Sequence, residues 1–200
     1  MTASLIVFLA RLLTGVRARW SGELPGSRQS VFFANHTSNL DFVLLWASMP
    51  PALRAKTRPV AAADYWRNGG IRQRLADDVF RAVLIERHRV TKATNPLAPM
   101  LGALADGDSL IIFPEGTRNP GGEPGEFKPG LFHIARACPS VDFVPVFIEN
   151  LNRVLPKGEI LPVPVLCSVH FGAPLPRIAD ETKAAFLARA REALLALRPL

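Results

Sequence analysis

Val31-Phe32-Phe33-Ala34-Asn35-His36-Thr37-Ser38-Asn39-Leu40-Asp41-Phe42-Val43-Leu44-Leu45-Trp46-Ala47 changes its hydrophobic period half-way along, and that change decides the fold. The unbroken apolar run Val31 to Ala34 fits a short strand covered on both faces. Beyond it Leu40, Val43, Leu44 and Ala47 recur at helical spacing. The N-cap residue types Thr37, Ser38 and Asn39 stand just ahead, and Pro50-Pro51 follows Met49 as a stop. A strand feeding a helix through a short polar turn is the unit of layered α/β domains. His36 falls in that turn and Asp41 near the start of the helix.

The alternation continues outward. Strands are expected near Arg58–Ala62, Ala82–Glu86, Ser109–Phe113, Phe143–Ile148 and Val165–Phe171. Helical patterns fall at Tyr65-Trp66, after Thr94 through Leu97, Leu101 and Leu104 to Asp106-Gly107, and over Gly130–Ala137. The Ala/Leu-rich segment Asp180–Leu197 reads as a closing helix with Asp180 as its cap. This order predicts an α/β fold, a single layered domain with a mostly parallel or mixed central sheet flanked by helices, over residues 21–200.

Residues 1–20 read as a separate N-terminal amphipathic helix lying in a membrane interface. Leu5–Ala10, Leu12 and Leu13 are apolar, no acid is present, and Arg11, Arg17, Arg19 and Trp20 are placed for lipid phosphates and the headgroup level. The run is shorter than the roughly 20 residues a span needs, and its charge follows the apolar stretch instead of preceding it as in a signal peptide. A terminal helix packed on the domain fits the same residues.

Lys and Arg outnumber Asp and Glu by 24 to 17, a formal charge of +7, which favours anionic partners: nucleic acid, anionic lipid or phosphorylated small molecules. Without interleaved aromatic and basic residues, and with a single Tyr, nucleic acid is not expected as a partner. Cys138 and Cys167 show no CxxC spacing and read as core thiols in a reduced, cytoplasmic setting. His133 and His170 lack partner spacing as well, so no metal site is expected. The Gly/Pro-rich stretch Asn119–Gly125 fits a surface connection or a substrate-facing loop.

Two constellations carry chemistry. Five helical residues at about 100° each would leave His36 and Asp41 about 140° apart, so the pair meets only if His36 precedes the helix proper. A carboxylate on one ring nitrogen then fixes the tautomer and leaves the other nitrogen to take a proton from a hydroxyl. A surface His near a helix-start Asp fits the same local pattern. Phe113-Pro114-Glu115-Gly116-Thr117-Arg118 follows a strand, where parallel-sheet sites form. Gly116 permits close backbone approach, Arg118 suits bidentate phosphate binding and Glu115 a sugar or glycerol hydroxyl. A turn with a structural Glu-Arg ion pair is the plainer reading.

Together, NHTSNLD and FPEGTR, about 80 residues apart, resemble the first and third blocks of the glycerolipid acyltransferases, the family that includes 1-acylglycerol-3-phosphate acyltransferase. Val83-Leu84-Ile85-Glu86-Arg87 resembles the second block, Val144-Pro145-Val146 the fourth, and Phe127-Lys128-Pro129-Gly130 a segment after the third. Arg81 stands where the family often has a glycine, six residues before Arg87.

The resemblance implies an acyltransferase in which His36 is the general base on the acceptor hydroxyl and Asp41 orients it, without an acyl-enzyme. It implies that Arg87, Glu115, Gly116, Thr117, Arg118 and Lys128 bind the acceptor, with Pro145 shaping the site wall. Helix-start N–H groups would receive the tetrahedral oxyanion. The partners implied are a lysophospholipid acceptor, an acyl thioester donor (acyl-CoA or acyl-carrier protein) and an anionic membrane surface, with no further cofactor. The excess of ten basic over four acidic residues between Arg54 and Lys92 suits that role, at the cytoplasmic face of a membrane in peripheral or monotopic attachment.

Overall fold

The computed structural model describes residues 2–22, 28–67, 69–86, 95–119, 123–150 and 166–199. Its strands are β1 (Arg17–Trp20), β2 (Ser30–Ala34), β3 (Thr57–Ala62), β4 (Val83–Ile85), β5 (Ser109–Ile112), β6 (Asp142–Glu149) and β7 (Ser168–Phe171). Its helices are α1 (Thr2–Thr14), α2 (Asp41–Ser48), α3 (Pro51–Ala55), α4 (Ala63–Trp66), α5 (Gly70–Arg74), α6 (Leu97–Ala105), α7 (Gly130–Ala137) and α8 (Lys183–Leu195). A π turn, Leu75–Val79, continues α5.

The strands form one seven-stranded sheet in the order β1-β7-β6-β2-β5-β3-β4. β2 pairs in parallel with β6 on one side (Val31 opposite Phe143) and β5 on the other (Val31 opposite Leu110). β3 and β4 extend the parallel run. β7 joins β6 antiparallel, and β1 lies parallel to β7. The mixed sheet expected from the residue pattern is therefore present, and five strands share one carboxyl edge.

All five residues of β2 are buried, as an interior strand covered on both faces must be. Phe32 and Ala34 point to one layer with Leu44, Leu45, Trp46 and Phe171, over which α1 lies. Val31 and Phe33 point to the other layer, with Leu104, Leu131, Ile134, Phe186 and Leu194 of α6, α7 and α8.

Three expectations require correction. The N-terminal helix stops at Thr14, not Trp20, because Gly15 turns the chain at φ 50° and Arg17–Trp20 pair with β7. Trp20 stacks on Phe171 with ring centroids 3.7 Å apart, so it belongs to the sheet layer and not to a headgroup belt. Residues 1–20 thus do not form a unit apart from the domain. The closing helix begins at Lys183, capped by Thr182, whose hydroxyl accepts from the Ala185 N–H at 3.2 Å; Asp180 stands before it at φ 55°. Pro50-Pro51 ends α2 as expected, but Pro51 also starts α3, since proline's fixed φ suits a first helical position. The expected start at Thr94 lies outside the described residues.

At the position where a glycine is common in the resembled family, Arg81 adopts φ 50°. That left-handed backbone explains why glycine suits the site. Arg81 holds there through Asp108, 3.0 Å from its guanidinium, which Arg58 shares at 3.1 Å.

Candidate active site

β2 ends at Ala34, and Asn35 ties the departing chain to β6. Its side chain donates to the Ile148 carbonyl at 2.9 Å and accepts from the Ile148 N–H at 2.7 Å, a ladder-like pair made by a buried amide. His36 is thereby delivered to the carboxyl edge of the sheet ahead of α2, the placement the five-residue spacing demands.

The His36 Nδ1 lies 2.7 Å from Asp41 Oδ2. Asp41 is the first residue of α2 and fully buried, while the imidazole is 21% exposed. The same Oδ2 accepts the N–H groups of Thr37 at 2.6 Å and Ser38 at 2.8 Å. With two amides already donating into that oxygen, the carboxylate is an acceptor and Nδ1 carries the proton. In the neutral ring Nε2 then keeps its lone pair, which is the requirement for a base. The ring stacks on Phe113 at 4.2 Å and 20°, an apolar wall that residue spacing did not reveal.

Four of the backbone N–H groups around the helix start are engaged within the turn itself. The amides of Thr37 and Ser38 serve Asp41, that of Leu40 reaches Ser38 Oγ at 3.3 Å, and that of Asp41 reaches the Ser38 carbonyl at 3.3 Å. Nor does any of Thr37, Ser38 and Asn39 cap α2 by its side chain; Leu40 occupies the cap position. Asp41, at the first helical position, places its negative charge at the positive end of the helix.

The second constellation arrives from the end of β5. Glu115 is 5% exposed and its Oε1 accepts the His36 N–H at 2.9 Å. Its Oε2 accepts the Gly125 N–H at 2.8 Å, and no Glu115–Arg118 ion pair forms among the described residues. Gly116 turns at φ 72° with the Lys128 stem beside it, 3.5 Å from where a Cβ would sit. Thr117, Arg118 and Lys128 are exposed. Among the described residues neither Arg118 nor Lys128 holds an ion pair, so two cations stand open near the imidazole's segment.

Arg87 lies outside the described residues. Pro145 sits in β6 opposite Phe33, its ring against Gly172. The stretch Asn119–Gly125 is held at both described ends: Asn119 Nδ2 donates to the Glu123 carbonyl at 2.7 Å, and Arg191 donates to the Pro124 carbonyl at 2.8 Å. A separate groove of about 970 Å³ opens at the amino end of β6, lined by Arg28, Phe132, Asp142, Phe186 and Arg189 among others, and contains none of the site residues.

Burial, with the charges of Glu149 and Asp41 adding, pushes the Cys167 thiol up to about 11, and burial raises Cys138 as well. Neither cysteine forms a disulfide, and no metal-ligating cluster occurs among the described residues.

Residues 16–149, which span β1 to the end of β6 and both constellations, match the family model for Acyltransferase. The chain belongs to the Acyltransferase family. It is 29% identical to the human 1-acyl-sn-glycerol-3-phosphate acyltransferase alpha over 86% of this chain and 59% of that protein. The Haemophilus influenzae 1-acyl-sn-glycerol-3-phosphate acyltransferase is 27% identical over 70% of this chain and 65% of its own. A lyso-ornithine lipid O-acyltransferase of Rhizobium meliloti is 32% identical over 65% of this chain and 42% of its own. The chain thus spans about three fifths of the curated acylglycerol-phosphate acyltransferases it matches. Its fold is that of PlsC, the 1-acyl-sn-glycerophosphate acyltransferase of Thermotoga maritima. That crystal structure superposes with a TM-score of 0.75 over 98% of this chain and 78% of the other, at 20% identity. The family's extent takes in His36, Asp41 and the segment 113–118, and leaves α1 and α8 outside it.

Proposed function

We propose that this chain transfers a fatty-acyl group from an acyl thioester to the sn-2 hydroxyl of 1-acylglycerol-3-phosphate, giving phosphatidate. The observation that carries the reading is the 2.7 Å contact between His36 Nδ1 and Asp41, which leaves a proton-accepting Nε2 at the carboxyl edge of an acyltransferase sheet. Nε2 takes the hydroxyl proton as the oxygen attacks the thioester carbonyl. The tetrahedral oxyanion collapses, the C–S bond breaks, and the imidazolium returns its proton to the leaving thiolate. Asp41 stabilises the transient imidazolium and holds the tautomer. Arg118 and Lys128, both exposed and unpaired among the described residues, supply charge for the acceptor phosphate, with Arg87 as the third cation. The donor, acyl-CoA or acyl-carrier protein, enters as substrate, and the chemistry asks for no further cofactor.

The same proposal sets the reaction at the cytoplasmic face of a membrane, in peripheral or monotopic attachment. α1 carries no acidic residue and exposes Leu5, Phe8 and Leu12 at 57%, 60% and 67%. No helix among the described residues is long and apolar enough to cross a bilayer. The Arg11 guanidinium donates twice to the Ala47 carbonyl of α2, at 3.0 and 3.2 Å.

Free thiol released from acyl-CoA and from acyl-carrier protein, with and without 1-acylglycerol-3-phosphate, tests the proposal. Acceptor-dependent release that His36→Ala abolishes, in a variant folded by circular dichroism, is expected; undiminished release would remove the mechanism. The similarity to a lyso-ornithine lipid O-acyltransferase favours one second reading, a hydroxylated amino-lipid acceptor. Competition between the two acceptors at equal concentration separates the readings.

A further inference from the structure

Glu115 lies in the segment whose resemblance assigns it to acceptor binding, yet its surroundings leave it no face for an acceptor. At 5% exposure, each carboxylate oxygen already receives a main-chain N–H: Oε1 that of His36 at 2.9 Å, Oε2 that of Gly125 at 2.8 Å. The neighbouring chain completes the arrangement. The Asn119 N–H donates to the His36 carbonyl at 2.7 Å, and Phe113 stacks beneath the imidazole at 4.2 Å. One segment, 113–119, therefore grips the peptide units on both sides of His36 and the ring between them.

We propose that Glu115 is a positioning residue that acts through His36 and does not touch the acceptor. The peptide plane that enters His36 fixes where its Cβ points. Asp41 and Phe113 then fix the ring, so the direction of the Nε2 lone pair is set jointly from β5 and α2. The aim matters because an error of about 1 Å in a reacting group can cost on the order of a hundredfold in rate. The same carboxylate ties Gly125, at the far end of the Gly/Pro-rich stretch, to the base. Gly125 and the imidazole are thereby registered to each other by a single side chain.

The inference rests on the acyl-transfer reading, and its test separates the two. Glu115→Gln keeps size but replaces one acceptor oxygen with an amino group that faces an N–H. The expected result is a kcat lower by about ten- to a hundredfold with acceptor KM within about twofold. A matching readout needs no turnover. The proton on His36 Nδ1, held by the carboxylate at 2.7 Å, should give a far-downfield NMR resonance in the parent protein that shifts or broadens in the variant. Arg118→Ala should instead raise acceptor KM. A Glu115→Gln enzyme with raised acceptor KM and retained kcat would show direct acceptor contact and overturn the proposal. So would an unchanged kcat, an unmoved His36 resonance, or a variant that no longer folds by circular dichroism. If the parent protein shows no acyl transfer at all, the functional reading fails, while the resonance still reports whether Glu115 orients His36.

Discussion

Replacing Asp41 by Asn removes one negative charge and little else. Three N–H donors converge on Oδ2, from His36, Thr37 and Ser38 at 2.7, 2.6 and 2.8 Å. An amide nitrogen there would face three donors, so the Asn carbonyl oxygen takes that place and the bonds survive in neutral form. The turn therefore persists, at a cost to stability of about 1–2 kcal/mol from weakening charge-assisted bonds. In the proposed mechanism, what disappears is the attraction between the carboxylate and the imidazolium formed when His36 takes the acceptor's proton. Two unit charges about 4 Å apart at an effective dielectric constant of about 20 attract by about 4 kcal/mol. At about 1.4 kcal/mol per decade this corresponds to a kcat lower by about a thousandfold, with acceptor KM unchanged. Thiol release from acyl-CoA, followed with a thiol-reactive chromophore across acceptor concentrations, measures both constants. A kcat within about tenfold of the parent enzyme, in a variant folded by circular dichroism, would refute the reasoning.

Other regions give independent tests. Arg81→Gly and Arg81→Ala both lose the Asp108 ion pair, but only glycine relieves the left-handed backbone, so urea unfolding should find the Gly variant more stable than the Ala variant by about 1 kcal/mol. Burial and the Arg19 charge hold the His170 imidazole below its ordinary 6.5, and its buried Nε2 has no hydrogen-bond partner among the described residues. The folded chain therefore binds fewer protons than the unfolded one just below that pH: stability is full above about 6.5 and falls as pH drops toward the lowered value, and His170→Leu should flatten that part of the thermal-unfolding profile. With its thiol pushed up to about 11, Cys167 should resist alkylation at pH 8 in the native protein and react fully in denaturant, as mass spectrometry would show. Phe8→Asp with Leu12→Asp should weaken sedimentation with anionic vesicles by about a hundredfold, the loss expected from two apolar side chains at about 1.5 kcal/mol each.

The turn between Ala34 and Asp41 was legible because a period change, a strand end and a five-residue spacing all constrain the same few residues. Its tertiary partners were not. Phe113 and Glu115 reach His36 across 79 positions or nearly so, and no local pattern states which backbone amide a carboxylate will find. The N-terminal strand failed for a different reason: Arg17-Ala18-Arg19-Trp20 has no apolar run and gains strand form only by pairing with β7. At the closing helix, Asp180 and Thr182 are both good cap types; the extended backbone of Thr182 at ψ 155° decides between them. Pro51 carries two signals at once, because the same ring that ends one helix can open the next.

α2 is held at both ends by different parts of the chain: Arg11 grips the Ala47 carbonyl, and Asp41 gathers the turn at the opposite pole. Six residues of helix rise about 9 Å between those points. The stand-off between the apolar outer face of α1 and the imidazole is in consequence a dimension of the scaffold, insensitive to how the edge loops are arranged. Lengthening or shortening α2 would shift the imidazole and the apolar face of α1 relative to one another, together with everything built on them.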